Sequence, residues 1–238
     1  AGTPSNCFDF AFAASKMAIE HMTPVMLLTD GFLANGSEPW LIQNMNDLPA
    51  IQVNKAKEGE KYLPYKRDAE KLIRSWAIPG TPGMEHRIGG LEKMDITGTV
   101  SYVPENHEVM THNRDQKVKR IANYIPEQTV YGDHDADLLV IGWGGTQGHL
   151  ISAVRELREA GHKIALAHFN YINPLPKNTG EVLGKFKKLV VCEINLGQFA
   201  NYLKMNHPKY DYLQYNKIQG LPFTVAELKN HFIKLMEE

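Results

Sequence analysis

Strand and helix patterns alternate over the last hundred or so residues, from about 135 to 238. The run DLLVIGW at 137–143 has the continuous apolar pattern of a buried strand, and HLISAVRELREAG after it has apolar residues at helical spacing. The strand pattern returns at 163–169 and at 188–194. Strands that alternate with helices predict right-handed crossovers and a mainly parallel sheet covered on both faces. We therefore expect a Rossmann-like, three-layer α/β/α domain over residues 135–238.

The other elements of this domain continue the alternation. Further helices are predicted near 181–187, over 195–205 and over 224–237, with another strand over 210–217. Thr224 and Glu227 fit a capping box, because the threonine side chain can accept from the third helical N–H while the glutamate reaches back. The last helix is therefore expected to begin at about residue 224.

A helix pattern and then a strand pattern occupy the first 50 residues. Apolar residues recur at helical spacing over 8–22, Pro24 ends that pattern, and PVMLLTD at 24–30 predicts a short buried strand. One helix and one strand suggest the edge of an α/β domain. The first residue is alanine rather than methionine. We expect the chain to begin within a longer protein, with residues 1–50 as the last part of such a domain.

The middle of the chain, residues 51–134, has few long apolar runs and many proline, glycine and polar residues. We interpret it as an extended connecting region of short strands and turns. One helix is predicted near residues 114–125, where three apolar residues share a face. Its basic residues are interpreted as a solvated helix face rather than a nucleic-acid site, and they are Arg114, Lys117, Lys119 and Arg120.

Composition narrows the class of protein. The 238 residues are 43% apolar and 22% charged with a net charge of −1, which is typical of a globular protein and gives no general attraction to nucleic acid or membrane. No stretch approaches the roughly 20 apolar residues that span a bilayer. The two cysteines, Cys7 and Cys192, are too few for the usual four-thiolate iron–sulfur cluster, and so low a count suits a reducing, cytoplasmic setting.

A glycine-rich turn at residues 142–148 lies between the first strand and the first helix of the 135–238 domain. Rossmann-type folds cradle phosphates at this place with free backbone N–H groups. The candidate cofactor-binding residues are therefore Gly144, Gly145, Thr146 and Gly148. The spacing does not match the dinucleotide fingerprint, and the second strand ends in His168-Phe169 rather than in an acidic residue. The alternative is a tight strand-to-helix turn without a ligand.

Polar residues crowd the segment DGFLANGSEPW, which follows the predicted strand at 24–30. The carboxyl ends of strands are where α/β folds gather ligands. The candidate substrate-side or subunit-interface residues are Asp30, Asn35, Ser37 and Glu38. The alternative is a well-capped turn, with Asp30-Gly31 as the turn and Ser37 as the N-cap of a helix.

The ten histidines are not arranged as a specific metal site. His107 and His112 lie close to Glu105 and Glu108 along the chain, but without HExxH or paired-cysteine spacing. No Gly-x-Ser-x-Gly elbow occurs, and Cys192 lies inside an apolar run. We therefore assign neither a catalytic residue nor a metal site to this chain.

Several blocks of sequence, in order over nearly the whole chain, resemble a known family. They are MTPVMLLTDGFLANGSEPW, PENHEVMTHNRDQK, DLLVIGWGGTQG, FNYINPLPKNTGEVLGKFKKLVVCEINLGQFA and NKIQGLPF. The family is that of the α subunits of 2-oxoglutarate:ferredoxin oxidoreductases, within the 2-oxoacid:acceptor oxidoreductases. The resemblance implies that residues 1–50 end a pyrimidine-type thiamine-binding domain and that residues 135–238 are similar to the C-terminal domain of transketolase.

The resemblance also implies an activity, cofactors and partners. The enzyme would convert a 2-oxoacid, with 2-oxoglutarate as the best match, and CoA into an acyl-CoA by oxidative decarboxylation, and would pass the electrons to ferredoxin. Thiamine diphosphate with Mg²⁺ and a [4Fe–4S] cluster would belong to the full complex, largely on a β subunit. Small γ and δ subunits would be further partners.

This chain departs from a complete α subunit of that family. A glutamate that contacts the aminopyrimidine ring and a Tyr-Pro-Ile-Thr-Pro-type segment lie upstream of DGFLANGSEPW in the family, and neither has a match here. We therefore expect neither tight thiamine binding nor turnover from the isolated chain. The alternative is a nucleotide- or CoA-binding module, or an assembly-docking module, of a pyruvate or branched-chain 2-oxoacid oxidoreductase.

Overall fold

A computed structural model of the chain describes residues 1–237. Its helices are α1 (Asn6–His21), α2 (Gly31–Asn35), α3 (Pro104–Arg120), α4 (Gln147–Glu159), α5 (Thr179–Gly184), α6 (Gln198–Asn206) and α7 (Val225–Glu237). Its strands are β1 (Tyr131–Gly132), β2 (Leu138–Trp143), β3 (Ile164–Phe169), β4 (Lys188–Glu193) and β5 (Leu213–Asn216). Short 3₁₀ helices occur at Met45–Asp47, Ile121–Asn123 and Gly144–Thr146.

Internal contacts divide the chain into two units. The α/β unit is formed by Ala1–Phe10, Leu27–Leu41 and the residues from Ile125 onward. The second unit is formed by Ala11–Met26 and Ile42–Tyr124. This grouping differs from the division at residues 50 and 134, which stays a prediction about domain boundaries.

The sheet of the α/β unit has the strand order β1-β3-β2-β4-β5. β2, β3, β4 and β5 run parallel to one another, and β1 pairs with β3 in the antiparallel sense. In the centre of the sheet, Val140 of β2 faces Leu166 of β3 and Val190 of β4. The prediction of an α/β fold with a mainly parallel sheet is therefore confirmed.

Side chains from the central strand enter two separate cores, one on each face of the sheet. Leu139 and Ile141 pack with residues of α5 and α6, whereas Leu138 and Val140 pack with residues of α4 and α7. All four side chains are fully buried. A strand covered on both faces needs apolar residues at every position, which explains the unbroken run in the sequence. The expected three-layer α/β/α arrangement is confirmed.

The capping box at the start of α7 is also confirmed. The Glu227 N–H donates to Thr224 Oγ1 at 3.2 Å, and the Thr224 N–H donates to Glu227 Oε1 at 3.0 Å. Two N–H groups at the helix start are thereby satisfied by side chains.

The predicted strand at residues 24–30 is wrong. In the structure this segment is extended but belongs to no strand, and Met26 and Leu28 are 83% and 53% exposed. A strand needs a neighbour for its backbone N–H and C=O groups, and no described segment of this chain pairs with it. The helix that the sequence predicts just before it is confirmed by α1.

The helix predicted near residues 114–125 begins ten residues earlier, at Pro104. Proline suits the first helical position because its missing N–H would have no partner there, and Asn106 and Met110 of this helix are buried. The interpretation of a solvated basic face is wrong for Lys117, since this half-buried ammonium group donates to the carbonyl oxygen of Met22 at 2.7 Å. Lys119 is exposed and pairs with a carboxylate of its own helix.

Candidate functional site

The glycine-rich turn connects β2 to α4 through a 3₁₀ helix at Gly144–Thr146. Gly144 has a φ of +59°, in the left-handed region that favours glycine. Thr146 Oγ1 donates to the carbonyl oxygen of Trp143 at 2.8 Å, and His168 Nε2 donates to that of Gly144 at 3.0 Å. The turn is therefore fixed by a side chain of its own 3₁₀ helix and by one from β3.

The structure brings together two candidate sites that the sequence treated separately. The Gly145 N–H donates to Asp30 Oδ2 at 3.0 Å, across 115 residues of chain. Asp30 Oδ1 accepts from the Leu33 N–H, also at 3.0 Å, and so caps α2. One carboxylate thus binds the strand-to-helix turn and the start of α2, in the position where a phosphate oxygen would meet the turn.

Close packing explains why residue 145 is glycine. A Cβ at Gly145 would come within 3.0 Å of the carboxylate carbon and both carboxylate oxygens of Asp30. At Gly148, by contrast, a Cβ would meet no atom within 4 Å. The two glycines of this motif therefore differ in their structural role. The Asp30 carboxylate can approach residue 145 only because this residue has no side chain, whereas residue 148 has room for one.

A second carboxylate closes the neighbouring turn of the sheet, between β4 and α6. Glu193 is fully buried, and its two oxygens accept from the N–H groups of Phe199 and Ala200 at 2.9 and 3.0 Å. Trp143 Nε1 and Asn195 Nδ2 also donate to it. Sequence reasoning missed Glu193, although an acidic residue at the end of a buried strand could have suggested it.

The other polar residues of the 30–38 loop have local hydrogen bonds or are exposed. Asn35 Nδ2 donates to the Gly31 carbonyl oxygen at 2.7 Å, and Glu38 Oε2 accepts from the Ser5 N–H at 2.9 Å. The Ser5 N–H is the main reason that the pKa of Glu38 is lowered. Ser37 is exposed and caps no helix, because no helix follows it before Met45. A substrate-side or interface role for these residues stays a prediction.

Three buried polar atoms without a hydrogen-bond partner lie in or beside the glycine-rich turn, among the residues that the structure describes. They are Gln147 Oε1, His149 Nε2 and His168 Nδ1. Burial lowers the pKa of His168 to about 4 and also lowers the pKa of His149. Both imidazoles are therefore neutral near pH 7. Unsatisfied groups of this kind are rare in folded proteins and often accompany functional sites.

No metal centre is apparent in residues 1–237, where no group of three or more His, Cys, Asp or Glu side chains is close enough to hold an ion. His107 Nδ1 instead contacts Glu92 Oε2 at 2.6 Å, and His112 lies 3.8 Å from Glu108. Burial raises the pKa of the Cys192 thiol in β4, so it is a poor nucleophile.

None of the described helices is both long and apolar enough to cross a membrane.

Comparison with known proteins relates the chain to one enzyme family. A family model described as "Pyruvate flavodoxin/ferredoxin oxidoreductase, thiamine diP-bdg" matches residues 1–103. The chain is 45% identical over 227 residues to the 2-oxoglutarate oxidoreductase subunit KorA of Mycobacterium tuberculosis, covering 95% of this chain and 34% of the relative. It is 31% identical over 216 residues to the 2-oxoacid:ferredoxin oxidoreductase 1, subunit alpha, of Aeropyrum pernix, covering 86% and 33%.

A solved structure supports the same relationship. The 2-oxoglutarate:ferredoxin oxidoreductase of Magnetococcus marinus, solved with 2-oxoglutarate, coenzyme A and succinyl-CoA bound, is similar to this chain with a TM-score of 0.88 at 25% identity. The match covers 98% of this chain and 41% of that one. The chain spans about a third of the length of the first curated relatives it matches.

Proposed function

Because the chain belongs to the family of α subunits of 2-oxoacid:ferredoxin oxidoreductases, we propose that it is part of an enzyme that converts 2-oxoglutarate and CoA into succinyl-CoA, CO₂ and two electrons carried by ferredoxin. The observation that carries this proposal is the 45% identity, over 95% of the chain, to a 2-oxoglutarate oxidoreductase subunit. Such an enzyme needs further subunits, and we propose a β subunit, with small γ or δ subunits, as partners. A cytoplasmic location accords with this chemistry.

Thiamine diphosphate would supply the electron sink for decarboxylation in the complete enzyme, and the family model over residues 1–103 supports its presence. The described residues of this chain do not fit its diphosphate end. No three of their acidic, histidine or cysteine side chains lie close enough together to hold an ion, and the Gly145 N–H is occupied by Asp30. We therefore propose that the diphosphate, Mg²⁺ and the [4Fe–4S] cluster lie largely on the β subunit.

Asp30 is the residue of this chain for which a substrate-side role can be tested most directly. Its carboxylate would repel an anionic 2-oxoacid unless its charge is compensated, and its two N–H partners provide part of that compensation. We propose that Asp30 holds the 30–38 loop in place, so that the exposed residues Asn35, Ser37 and Glu38 are presented toward substrate or a neighbouring subunit.

The alternative of a nucleotide or CoA module at the glycine-rich turn is less favoured by the geometry. A phosphate that approached the Gly145 N–H would have to displace the Asp30 carboxylate. Ligand binding by Gly144, Gly145, Thr146 and Gly148 stays a prediction, and it would require the 30–38 loop to move.

The test is to co-express the full-length α subunit with its β partner and to measure CoA-dependent reduction of a redox dye. We expect kcat/KM for 2-oxoglutarate to exceed that for pyruvate and for a branched-chain 2-oxoacid by at least about tenfold. A larger value for pyruvate would contradict the substrate assignment. A complex that holds its cofactors and reduces dye with none of the three acids would contradict the activity itself.

Two variants in the same complex test the loop. Asp30→Asn should raise KM for the 2-oxoacid if the loop contacts substrate. It should lower only the thermal stability if Asp30 does no more than hold the loop in place. Asp47→Asn is the matched control, since Asp47 is exposed and lies outside this loop. An equal change of KM in both variants would remove the argument for a substrate-side loop.

A further inference from the structure

The second unit contains a cavity of about 170 Å³ that is lined by basic residues. We call it the cationic pocket, and its lining residues are Tyr65, Arg67, Leu72, Arg74, Met110, Asn113, Arg114 and Lys117. Four of these residues carry a positive charge, and none of the lining residues among those the structure describes is acidic. The volume is several times the roughly 30 Å³ that one water molecule occupies in the liquid, so a polyatomic ion has room there.

One wall of the cationic pocket is a single face of α3. Its residues Met110, Asn113, Arg114 and Lys117 follow the spacing i, i+3, i+4, i+7, which places their side chains on one stripe of a helix. Arg114 and Lys117 are therefore neighbours on the helix surface. Two like charges at this spacing repel each other unless an opposite charge lies between or beside them.

The other wall is a turn that sets two arginines side by side. Arg67 and Arg74 are partners in an isolated antiparallel bridge, so their side chains leave the backbone next to each other. Asp68 closes the turn by accepting from three backbone N–H groups, those of Glu70, Lys71 and Ile73. Like charges at directly opposite positions are destabilising unless an anion compensates them.

Two of the four cations have carboxylate partners. Arg67 forms an ion pair with Asp95, and Arg114 Nη1 lies 3.4 Å from Glu92 Oε1. Both carboxylates belong to residues outside the lining of the cationic pocket. They balance two of the four positive charges.

The remaining two cations form no ion pair anywhere in residues 1–237. Arg74 Nη1 donates to the Pro64 carbonyl oxygen at 3.3 Å, and its guanidinium lies 4.4 Å from the centre of the Tyr65 ring. Lys117 Nζ donates to the Met22 carbonyl oxygen at 2.7 Å. Neutral carbonyl groups satisfy part of the donor capacity of these side chains but leave their charge uncompensated.

We propose that the cationic pocket binds a phosphate group as a dianion, held between Arg74 and Lys117, with Arg67 and Arg114 as the other two cations of its lining. Arginine forks match the oxygen geometry of phosphate, and lysine adds a point charge. The two negative charges of the ligand match the two cations without a carboxylate partner. The cause of the low pKa of Lys117, about 8, is burial together with the charges of Arg74, Arg67 and Arg114, and a bound anion would relieve that repulsion.

The test is calorimetric titration of inorganic phosphate into the 238-residue chain at low ionic strength in a buffer without phosphate. We expect saturable binding that Arg74→Gln and Lys117→Met each weaken at least about tenfold, because each removes a charge-assisted hydrogen bond. Arg87→Gln makes the same charge change at an exposed arginine outside the pocket and should bind like the wild type. Circular dichroism of each variant verifies folding, and the more exposed Arg114→Gln replaces any variant that does not fold.

Further titrations identify the source of the phosphate group. If adenosine 3′,5′-bisphosphate binds more tightly than inorganic phosphate, the natural ligand is a phosphate group carried by a nucleotide. If the two affinities are equal, free phosphate is sufficient. Both outcomes support the site. The proposal is overturned if the wild type does not bind phosphate at millimolar concentration, if Arg87→Gln loses as much affinity as Arg74→Gln, or if acetate and adenosine bind as well as phosphate. None of these outcomes depends on the proposed oxidoreductase activity.

Discussion

In the α/β unit, the N–H groups at two strand-to-helix turns are bound by carboxylates of the chain itself, with Asp30 at Gly145 and Glu193 at Phe199 and Ala200. In the second unit, the cationic pocket has two positive charges for which the described residues supply no carboxylate. A turn that has the pattern of a phosphate site can therefore already be occupied by a carboxylate of the same chain. An irregular region without a recognised motif can contain cations that have no carboxylate partner. Charge balance, more than the glycine pattern, distinguishes the two places as sites for an external anion.

Among the variants that test this comparison, Gly145→Ala is expected to lower the free energy of unfolding most. The new Cβ would clash with the Asp30 carboxylate, which would lose its bond to the turn and be pulled from its position at the start of α2. We expect a loss of about 2–3 kcal/mol in the free energy of unfolding, from overpacking and a broken hydrogen bond. Hydrogen exchange of the β2 amides measures this loss within the α/β unit.

Gly148→Ala is the matched control for that variant. Its Cβ would enter open space in the first turn of α4, where alanine is a better helix former than glycine, by up to about 1 kcal/mol. If Gly148→Ala destabilised the α/β unit as much as Gly145→Ala, close packing against Asp30 would not be the reason for a glycine at position 145.

The next largest effect is a pH dependence at the same turn. His168 has a folded-state pKa of about 4, below its ordinary value of 6.5, because burial disfavours the charged imidazole. The unfolded chain therefore binds a proton that the folded chain does not, and stability is lost as the pH falls from about 6.5 toward 4. At pH 5 the expected loss is about 2 kcal/mol.

His168→Gln separates this contribution from those of the carboxylates. Glutamine can still donate to the Gly144 carbonyl oxygen but does not titrate. The difference in unfolding free energy between the wild type and this variant should shrink or change sign between pH 7 and pH 5. A difference that stays constant across this range would show that His168 is not the group that titrates.

A smaller effect is expected from Asp30→Ala, which removes the cap of α2 and the partner of the Gly145 N–H. We expect the free energy of unfolding to fall by about 1–2 kcal/mol. A lost helix cap costs about 1 kcal/mol, and water can reach the Gly145 N–H once the carboxylate is gone. The variant also frees the turn for an external anion. Sulfate should then raise its melting temperature more than that of the wild type, and an equal effect on both would mean that the Asp30 carboxylate does not block an anion at Gly145.

The sequence predicted the α/β unit well because its patterns are local. Unbroken apolar strands, amphipathic helices and the Thr224–Glu227 capping box each depend on residues close in the chain. The contact between Asp30 and Gly145 depends on residues 115 positions apart, and no local pattern indicates it. The segment at 24–30 has the pattern of a strand, but no segment among residues 1–237 provides the neighbour that a strand requires.

The cationic pocket was hidden in the sequence for a related reason. The basic residues of α3 were visible as a group, but whether they face solvent depends on the turn formed by residues 65–74. That turn is held by the side chain of Asp68 rather than by periodic structure. The spacing of residues along the chain is enough to identify a face of a helix. It does not show which distant segment packs against that face.

The smallest effect is expected at Lys117, whose folded-state pKa of about 8 lies below its ordinary value of 10.5. Between these two values the unfolded chain binds a proton that the folded chain has lost, so this group makes the protein more stable as the pH rises from about 8 to 10.5. Because the side chain is only half-buried, solvent screening limits the contribution to about 1 kcal/mol or less. Lys117→Met should abolish this slope in unfolding measurements between pH 7.5 and 10.5, whereas Lys119→Met, at an exposed lysine of the same helix, should keep it.

Saturating phosphate should flatten the slope in the wild type, because an anion beside the Lys117 ammonium group raises its pKa toward the unfolded value. A slope that phosphate leaves unchanged would mean that phosphate does not bind beside Lys117.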